Sequence, residues 1–269
     1  MFQKNNMNNS LKIFGFILCL FLLQNINAQP AEINKLDAKG LKQGSWQGYY
    51  PSGKLKYKGS FINDKPQGVF EYYYEDGKTK TILKYTSNPN ISYAEHFFNN
   101  GKKMSEGKYL DQKKDSLWKF YHEEGMLISE EFYKNFKKDG ISKSYYSDGV
   151  ISEEVEWKDG QKNGKLMNYF SDGAIKLETT YENGKLNGLF KFYYPEKGKV
   201  LMSGMYINDF KDGVWMQFDE NGKATKKEVW KDGELKSTEE YDENGKATKK
   251  EVRKEGELKS TEEFIRQDD

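Results

Sequence analysis

One glycine recurs at a nearly constant step through most of the chain: Gly53, Gly77, Gly101, Gly125, Gly149, Gly173, Gly198, Gly222 and Gly245. The step is 24 residues throughout, apart from one of 25 before Gly198 and one of 23 before Gly245. A period of about 20–50 residues marks a stack of supersecondary units, each able to bury a face only against its neighbours. Every marker glycine lies in a turn-forming quartet such as PSGK, EDGK, NNGK, SDGA or ENGK, where glycine accepts positive φ without steric cost. A second punctuation falls half a period later, in NDKPQG (63–68), NFKKDG (135–140), KDGQKNG (158–164), ENGKLNG (182–188) and NDFKDG (208–213). Two turns per period leave two segments of about six to eight residues, a usual strand length and short for helices. The sequence therefore predicts an all-β fold, an elongated antiparallel β-meander or solenoid of about nine 24-residue β-hairpin repeats.

Aromatic residues keep the same register. Four residues before the markers stand Tyr49, Tyr73, Phe97, Tyr121, Tyr145, Tyr169, Phe218 and Tyr241, with Tyr193 shifted by one in the longer repeat. Eight residues after the markers stand Phe61, Tyr85, Tyr109, Tyr133, Trp157, Tyr181, Tyr206 and Trp230, and then Arg253. Each strand thus carries one aromatic. If neighbouring strands bring the columns side by side, the rings form a continuous structural ladder of cross-strand pairs. Lys and Glu occupy the intervening positions, as on the solvated side of a strand.

These units resemble the MORN-repeat variants of bacterial exported proteins, many of which are labelled YwqK-type antitoxins. The best matches are GKLMNYFSDGAIKLETTYENGKLNG (164–188) and GLFKFYYPEKGKVLMSGMYINDFKDG (188–213), and the resemblance extends over about 40–264. It implies the hairpin array and a display scaffold, without implying an activity. The antitoxin label sits poorly with an export signal, because a neutraliser of a cytosolic toxin stays in the cytosol.

That signal is read at the N-terminus. Lys4 and Lys12 precede and open the apolar run IFGFILCLFLL (13–23), followed by QNINAQ, with cleavage expected between Ala28 and Gln29. Eleven apolar residues suit a signal peptide and are too few to span a bilayer. The domain reading is a signal peptide at 1–28, a linker at 29–39, the repeat array at 40–264 and a tail at 265–269. Cys19, the only cysteine, lies inside the signal, so the mature chain has no thiol chemistry and no disulfide. Ile17 and Leu18 before it are not the small residues that a lipid-attachment site requires.

Composition narrows the function. Charged residues make up 32% and mean hydropathy is −0.95, yet 15% of residues are aromatic, against the composition of a disordered chain. Loss of residues 1–28 removes two lysines and no acid, leaving 41 basic against 42 acidic residues. That balance gives no field for nucleic acid or anionic lipid, and Arg253 and Arg266 are the only arginines. His96 and His122 fall two strands apart, roughly 12 Å, too far to share a metal. No phosphate loop and no nucleophile motif occurs, and paired acids recur with the period as a solvated face does. No enzyme activity, cofactor or metal is expected.

The expected function is an exported, non-enzymatic scaffold in the periplasm, at the cell surface or outside the cell, which binds a protein partner through its sheet. Carbohydrate or cell-wall binding through exposed aromatics, suggested by GSWQGYY (44–50), and peripheral membrane association are the alternatives. Two stretches depart from the pattern. Residues 86–122 lose the second glycine in TSNPNIS and DQKKDS, and Pro89 cannot donate to a ladder. Residues 219–241 and 242–264 are near-identical, differing at Trp230/Arg253, Asp232/Glu255 and Tyr241/Phe264, and read as a charged cap.

Overall fold

The computed structural model describes residues 32–195 and 198–264, so the expected signal and its Ala28–Gln29 junction lie outside the described residues. Those residues contain strands and turns and no helix. Twenty-two strands form one open antiparallel sheet, a meander in which each pass pairs with the one before and the one after. The sheet is not closed. Among the described residues every substantial contact joins strands that are neighbours in the sheet, and none of them forms a second layer over either face. The segment expected as a linker already contributes structure: Lys35–Leu36 pairs with the strand Lys42–Tyr49.

Two turn types alternate. At the markers the amide of Gly77 donates to the Tyr74 carbonyl and the amide of Tyr74 to the Lys78 carbonyl, closing a three-residue loop with Gly77 at φ +91°. This is a type I turn ending in a left-handed residue, and it forces a bulge: Tyr73 faces Thr79 and Tyr72 faces Thr81, leaving Lys80 as the extra residue. At the half-period turns two residues suffice. Asn63 and Asp64, at φ +50° and +63°, link the paired residues Ile62 and Lys65, the two-residue hairpin geometry favoured by strand twist.

Strand alternation sorts side chains onto two unlike faces. One, the aromatic face, carries a central row of the most buried residues, among them Phe70, Ala94, Trp118, Val155, Leu166 and Trp215. Bulk alternates with absence along that row: Trp46 stands opposite Gly59, and Trp118 opposite Gly107. Trp118 and Trp215 are 0% and 1% exposed in a single-layer sheet because neighbouring side chains of the same face cover them. Each indole N–H is satisfied by a backbone carbonyl, of Lys108 at 2.9 Å and of Met205 at 3.1 Å. The other, the ionic face, carries a row in which Glu106, Lys119, Glu130, Lys143 and Glu154 stand opposite one another on successive passes.

The two aromatic columns do not merge into one ladder. The column eight residues after the markers flanks the buried row, as in the edge-to-face contacts of Phe61 with Phe70 and Tyr206 with Trp215 at 5.0 and 4.9 Å. The column four residues before the markers lies on the ionic face. The cause is parity: Leu166 and Thr179 are directly opposite on the aromatic face, Tyr181 is two residues from Thr179, and Tyr169 is three from Leu166.

Residues 86–122 are irregular in a definable way. Thr86 to Asn90 form a longer loop, and the strands it joins run without a bulge, Tyr85 facing Ser92. Ser116 then takes φ +60° where Gly68, Gly140 and Gly164 take positive φ in other repeats, and its hydroxyl donates to Asp115 at 2.9 Å. At the far end Glu257–Glu263, the last strand described, is exposed along its whole length.

Candidate functional site

No group of three or more His, Cys, Asp and Glu side chains among the described residues could hold a metal ion. No helix of the described residues is long and apolar enough to cross a membrane. What the fold offers is its two faces.

On the ionic face the column four residues before the markers has a polar task. The phenols of Tyr121, Tyr145, Tyr169 and Tyr193 donate to Glu106, Glu130, Glu154 and Glu178, each fifteen residues earlier, at 2.6 to 3.0 Å. Three of these carboxylates also take the lysine directly opposite on a neighbouring pass: Lys119, Lys143 and Lys191, at 2.9 to 3.0 Å, bind Glu130, Glu154 and Glu178. Glu106 is bound instead by Lys103 at 2.7 Å. The lysines hold Glu130 and Glu154 below the usual carboxylate range, with the phenols adding to the effect; at Glu178 the phenol of Tyr193 comes first. Burial first, then the carboxylate, pushes Tyr145 and Tyr193 up to about 12. These acids are committed to structure, each with a cation and a phenol.

On the aromatic face lysines lie over rings. Lys114 sits 5.0, 4.3 and 5.3 Å from the ring centres of Trp118, Phe120 and Tyr133, and burial lowers its pKa. His96 is held between the Thr81 hydroxyl at 2.9 Å and the Tyr109 phenol at 3.2 Å, and stacks on Trp118. Burial, followed by the positive charges of Lys114 and Lys80, lowers its pKa. One difference between the doubled C-terminal copies has a structural reason. Trp230 donates its indole N–H to Glu228 at 2.9 Å, and Arg253 reaches the equivalent Glu251 at 3.5 Å, so the substitution keeps a donor beside a carboxylate in the central row.

A further aromatic column has a job the periodicity alone did not disclose. Tyr50, Tyr74, Tyr146 and Tyr194, one residue after the first column, donate their phenols to the carbonyls of Tyr73, Phe97, Tyr169 and Phe218 in the next repeat, at 2.6 to 2.9 Å. They staple each marker turn to its successor. The sequence signal for them is the doublet itself, Tyr49–Tyr50 or Tyr145–Tyr146, whose second ring lies outside both columns.

With this register established, four stretches of the sequence match a known family, described as MORN repeat variant, at residues 42–63, 66–86, 114–135 and 138–159. The chain carries MORN-variant repeats. The array keeps the same alternation of turns beyond the matched stretches: the amide of Gly222 still donates to the Asp219 carbonyl, and Asp232 and Gly233 still make a two-residue hairpin turn. No curated protein matches the sequence. Among solved structures, the chain is similar over 36% of its length to 19% of a mutant of S. aureus TarM in complex with fondaparinux, alpha-GlcNAc-glycerol and UDP, at 12% identity and TM-score 0.27. A second structure of TarM is similar over 35% of this chain and 20% of that one, at 15% identity and TM-score 0.26. The chain spans about a fifth of the length of each, and at such TM-scores nothing about its function follows.

One further column of the sheet is periodic and largely apolar. Eight residues before the markers, on the ionic face, stand Val69, Tyr93, Leu117 and Ile141. Val69 and Leu117 are the middle residues of the strands Lys65–Tyr73 and Lys113–Tyr121. Tyr93 and Ile141 are 54% and 48% exposed, and Phe132, directly opposite Leu117, is 44% exposed. Lys165 interrupts the column before Leu189 and Val214 resume it, both about half exposed. By contrast, of the two predicted aromatic columns only Tyr49 is exposed.

Proposed function

We propose that this protein is an exported, non-enzymatic scaffold that binds a protein partner through the ionic face of its sheet. The observation that carries the reading is the exposed apolar residues Phe132 and Ile141 beside half-buried Leu117, with exposed Tyr93 beyond Lys108, in the middle of a face otherwise built from ion pairs. Contiguous exposed apolar surface rimmed by polar groups marks an interaction site. A structural role for the acids supports the non-enzymatic part, since Glu106, Glu130, Glu154 and Glu178 each hold a phenol and a lysine. Export rests on the N-terminal sequence alone. Of the rings in GSWQGYY, Trp46 and Tyr50 are half-buried and Tyr49 is exposed, which weakens the carbohydrate alternative. The test is crosslinking in the native envelope fraction with the wild-type chain and with Phe132→Glu and Ile141→Glu. Loss of a crosslinked partner from both variants, with unchanged melting, supports the reading; an unchanged partner set overturns it.

A further inference from the structure

The two edges of the sheet are unlike. At the first, Lys35–Leu36 pairs with Lys42–Tyr49. Asn34 extends that cover: its amide donates to the Ser45 carbonyl at 2.9 Å, and its side-chain oxygen accepts the Gln47 amide at 2.8 Å. At the other edge Glu257–Glu263 pairs with Ala247–Lys254 on one side, and no described residue pairs with it on the other. The Phe264 amide donates inward, to the Thr248 carbonyl. Backbone alternation therefore turns the N–H and C=O groups of Thr261 and Glu263 outward, away from the sheet.

An open sheet edge is a template for another strand. What this one accepts is shown inside the chain. Residues 257–264, ELKSTEEF, repeat residues 234–241, ELKSTEEY, apart from the last ring. In the preceding copy the same edge is filled: Thr238, Glu239 and Glu240 stand opposite Glu251, Lys250 and Lys249. Both copies carry the same bulge, with Trp230 facing Leu235 and Arg253 facing Leu258, so that irregularity does not close the edge. Nor do the acids of the expected charged cap, since one repeat before they accept a strand.

The charges choose the occupant. Two rows cross the last four described strands: Lys227, Glu239, Lys250 and Glu262 in one, Lys226, Glu240, Lys249 and Glu263 in the other. Signs alternate along both rows, and each ends on an acid that has no ion pair among the described residues. Opposite charges facing across a strand pair stabilise it and like charges destabilise it, so the fitting strand brings two adjacent lysines. Lys249 also bonds Glu251 of its own strand at 2.8 Å, a partner that an incoming strand of the same pattern carries with it. The chain's own TKKEV segments, 225–229 and 248–252, are paired on both sides within the sheet. The segment that fills the edge therefore comes from another protein.

We propose that the free edge of Glu257–Glu263 takes up an extended segment of a protein partner as a further antiparallel strand, one with two adjacent lysines followed by an acid, as in TKKEV. This surface is separate from the ionic face and does not depend on the reading given to that face.

The test uses the full chain and a labelled peptide with the sequence of residues 246–254, KATKKEVRK. Fluorescence anisotropy should show saturable binding, about tenfold or more weaker for a peptide with glutamate in place of both adjacent lysines. Strand addition also dictates which amides matter. N-methylation of the first adjacent lysine and of the glutamate, the equivalents of Lys249 and Glu251, blocks the amides that face the edge and should abolish binding. N-methylation of the second lysine and of the valine, whose amides point away, should leave binding nearly unchanged. Amide exchange at Thr261 and Glu263 should slow about tenfold or more when the peptide saturates the chain. Thr261→Pro removes an outward donor and no inward bond, and should abolish binding with the circular-dichroism spectrum retained; if that variant unfolds, the methylated peptides still decide. Equal binding of the two methylated peptides would mean adhesion to the acids without strand pairing, and overturns the proposal. So does an equally tight glutamate peptide, or no binding at all. Self-association in sedimentation that Thr261→Pro abolishes would give the edge to a second copy, and overturns it too.

Discussion

The indole of Trp118 lies against the α-carbon of Gly107 on the neighbouring strand, so closely that a Cβ there would come within 2.4 Å of the ring. The same fit recurs between Trp215 and Gly204 and between Phe70 and Gly59. In a sheet without a second layer, a glycine opposite a large ring lets the ring fold flat over the strand and bury itself. Gly107→Ala is therefore expected to cost ~1–3 kcal/mol by overpacking. Trp118→Ala should cost ~3–5 kcal/mol by leaving a cavity. Denaturant melts of both would check this, and a silent Gly107→Ala would refute the fit.

Tyr169 and Lys143 act on one carboxylate, Glu154, at 3.0 and 2.9 Å. Lys143 is partly exposed, so water screens its pair and each single change should cost less than about 1 kcal/mol. Their effects should nonetheless be non-additive. A double-mutant cycle with Tyr169→Phe and Lys143→Met is expected to return a coupling of roughly 0.5 kcal/mol, because either change leaves Glu154 leaning on the other partner. Strict additivity would mean that the ionic row is a set of isolated contacts.

Stability should fall in acid through the same row. Glu106, Glu130, Glu154 and Glu178 have folded pKa values below the ordinary 4.5, so the unfolded chain takes up protons first. The stabilisation is present above the unfolded value and lost as pH drops through the folded ones. Thermal midpoints measured from pH 6 down to 3 should decline, and the decline should shrink in Glu130→Gln with Glu154→Gln. At the alkaline end Tyr145 and Tyr193 are raised to about 12, so stability should fall as pH rises above 10, where unfolded tyrosines ionise first.

His96 contributes a separate step. Its folded pKa lies below 6.5, because burial and then Lys114 and Lys80 disfavour the imidazolium. The unfolded chain binds that proton more readily, so stability should drop as pH falls below 6.5, ahead of the carboxylates. The step should vanish in His96→Gln, and an NMR titration of the ring should give a midpoint under 6.5.

Each hairpin touches only its neighbours, which makes the array divisible. Deleting residues 242–269 should remove one two-strand unit and leave the circular-dichroism signal per residue and the melt of the remainder nearly unchanged. Collapse of the whole chain would show cooperativity that the contacts do not contain.

The sequence by itself determined the repeat, the two turns per period, the all-β class and the length of each strand, because glycine positions and aromatic spacing report local backbone geometry that a hairpin settles within itself. It showed where rings recur, and even that they come in doublets such as Tyr73–Tyr74, but not what they touch. Tertiary structure decided the faces. Parity along paired strands sent Tyr169 to the ionic side and Tyr181 to the aromatic side. The register placed Gly107 under Trp118, and packing buried the central row while leaving Tyr93, Phe132 and Ile141 exposed. Exposure is a property of what lies opposite and above a residue. In this sheet those neighbours come from other strands, beyond the reach of a periodicity read along the chain.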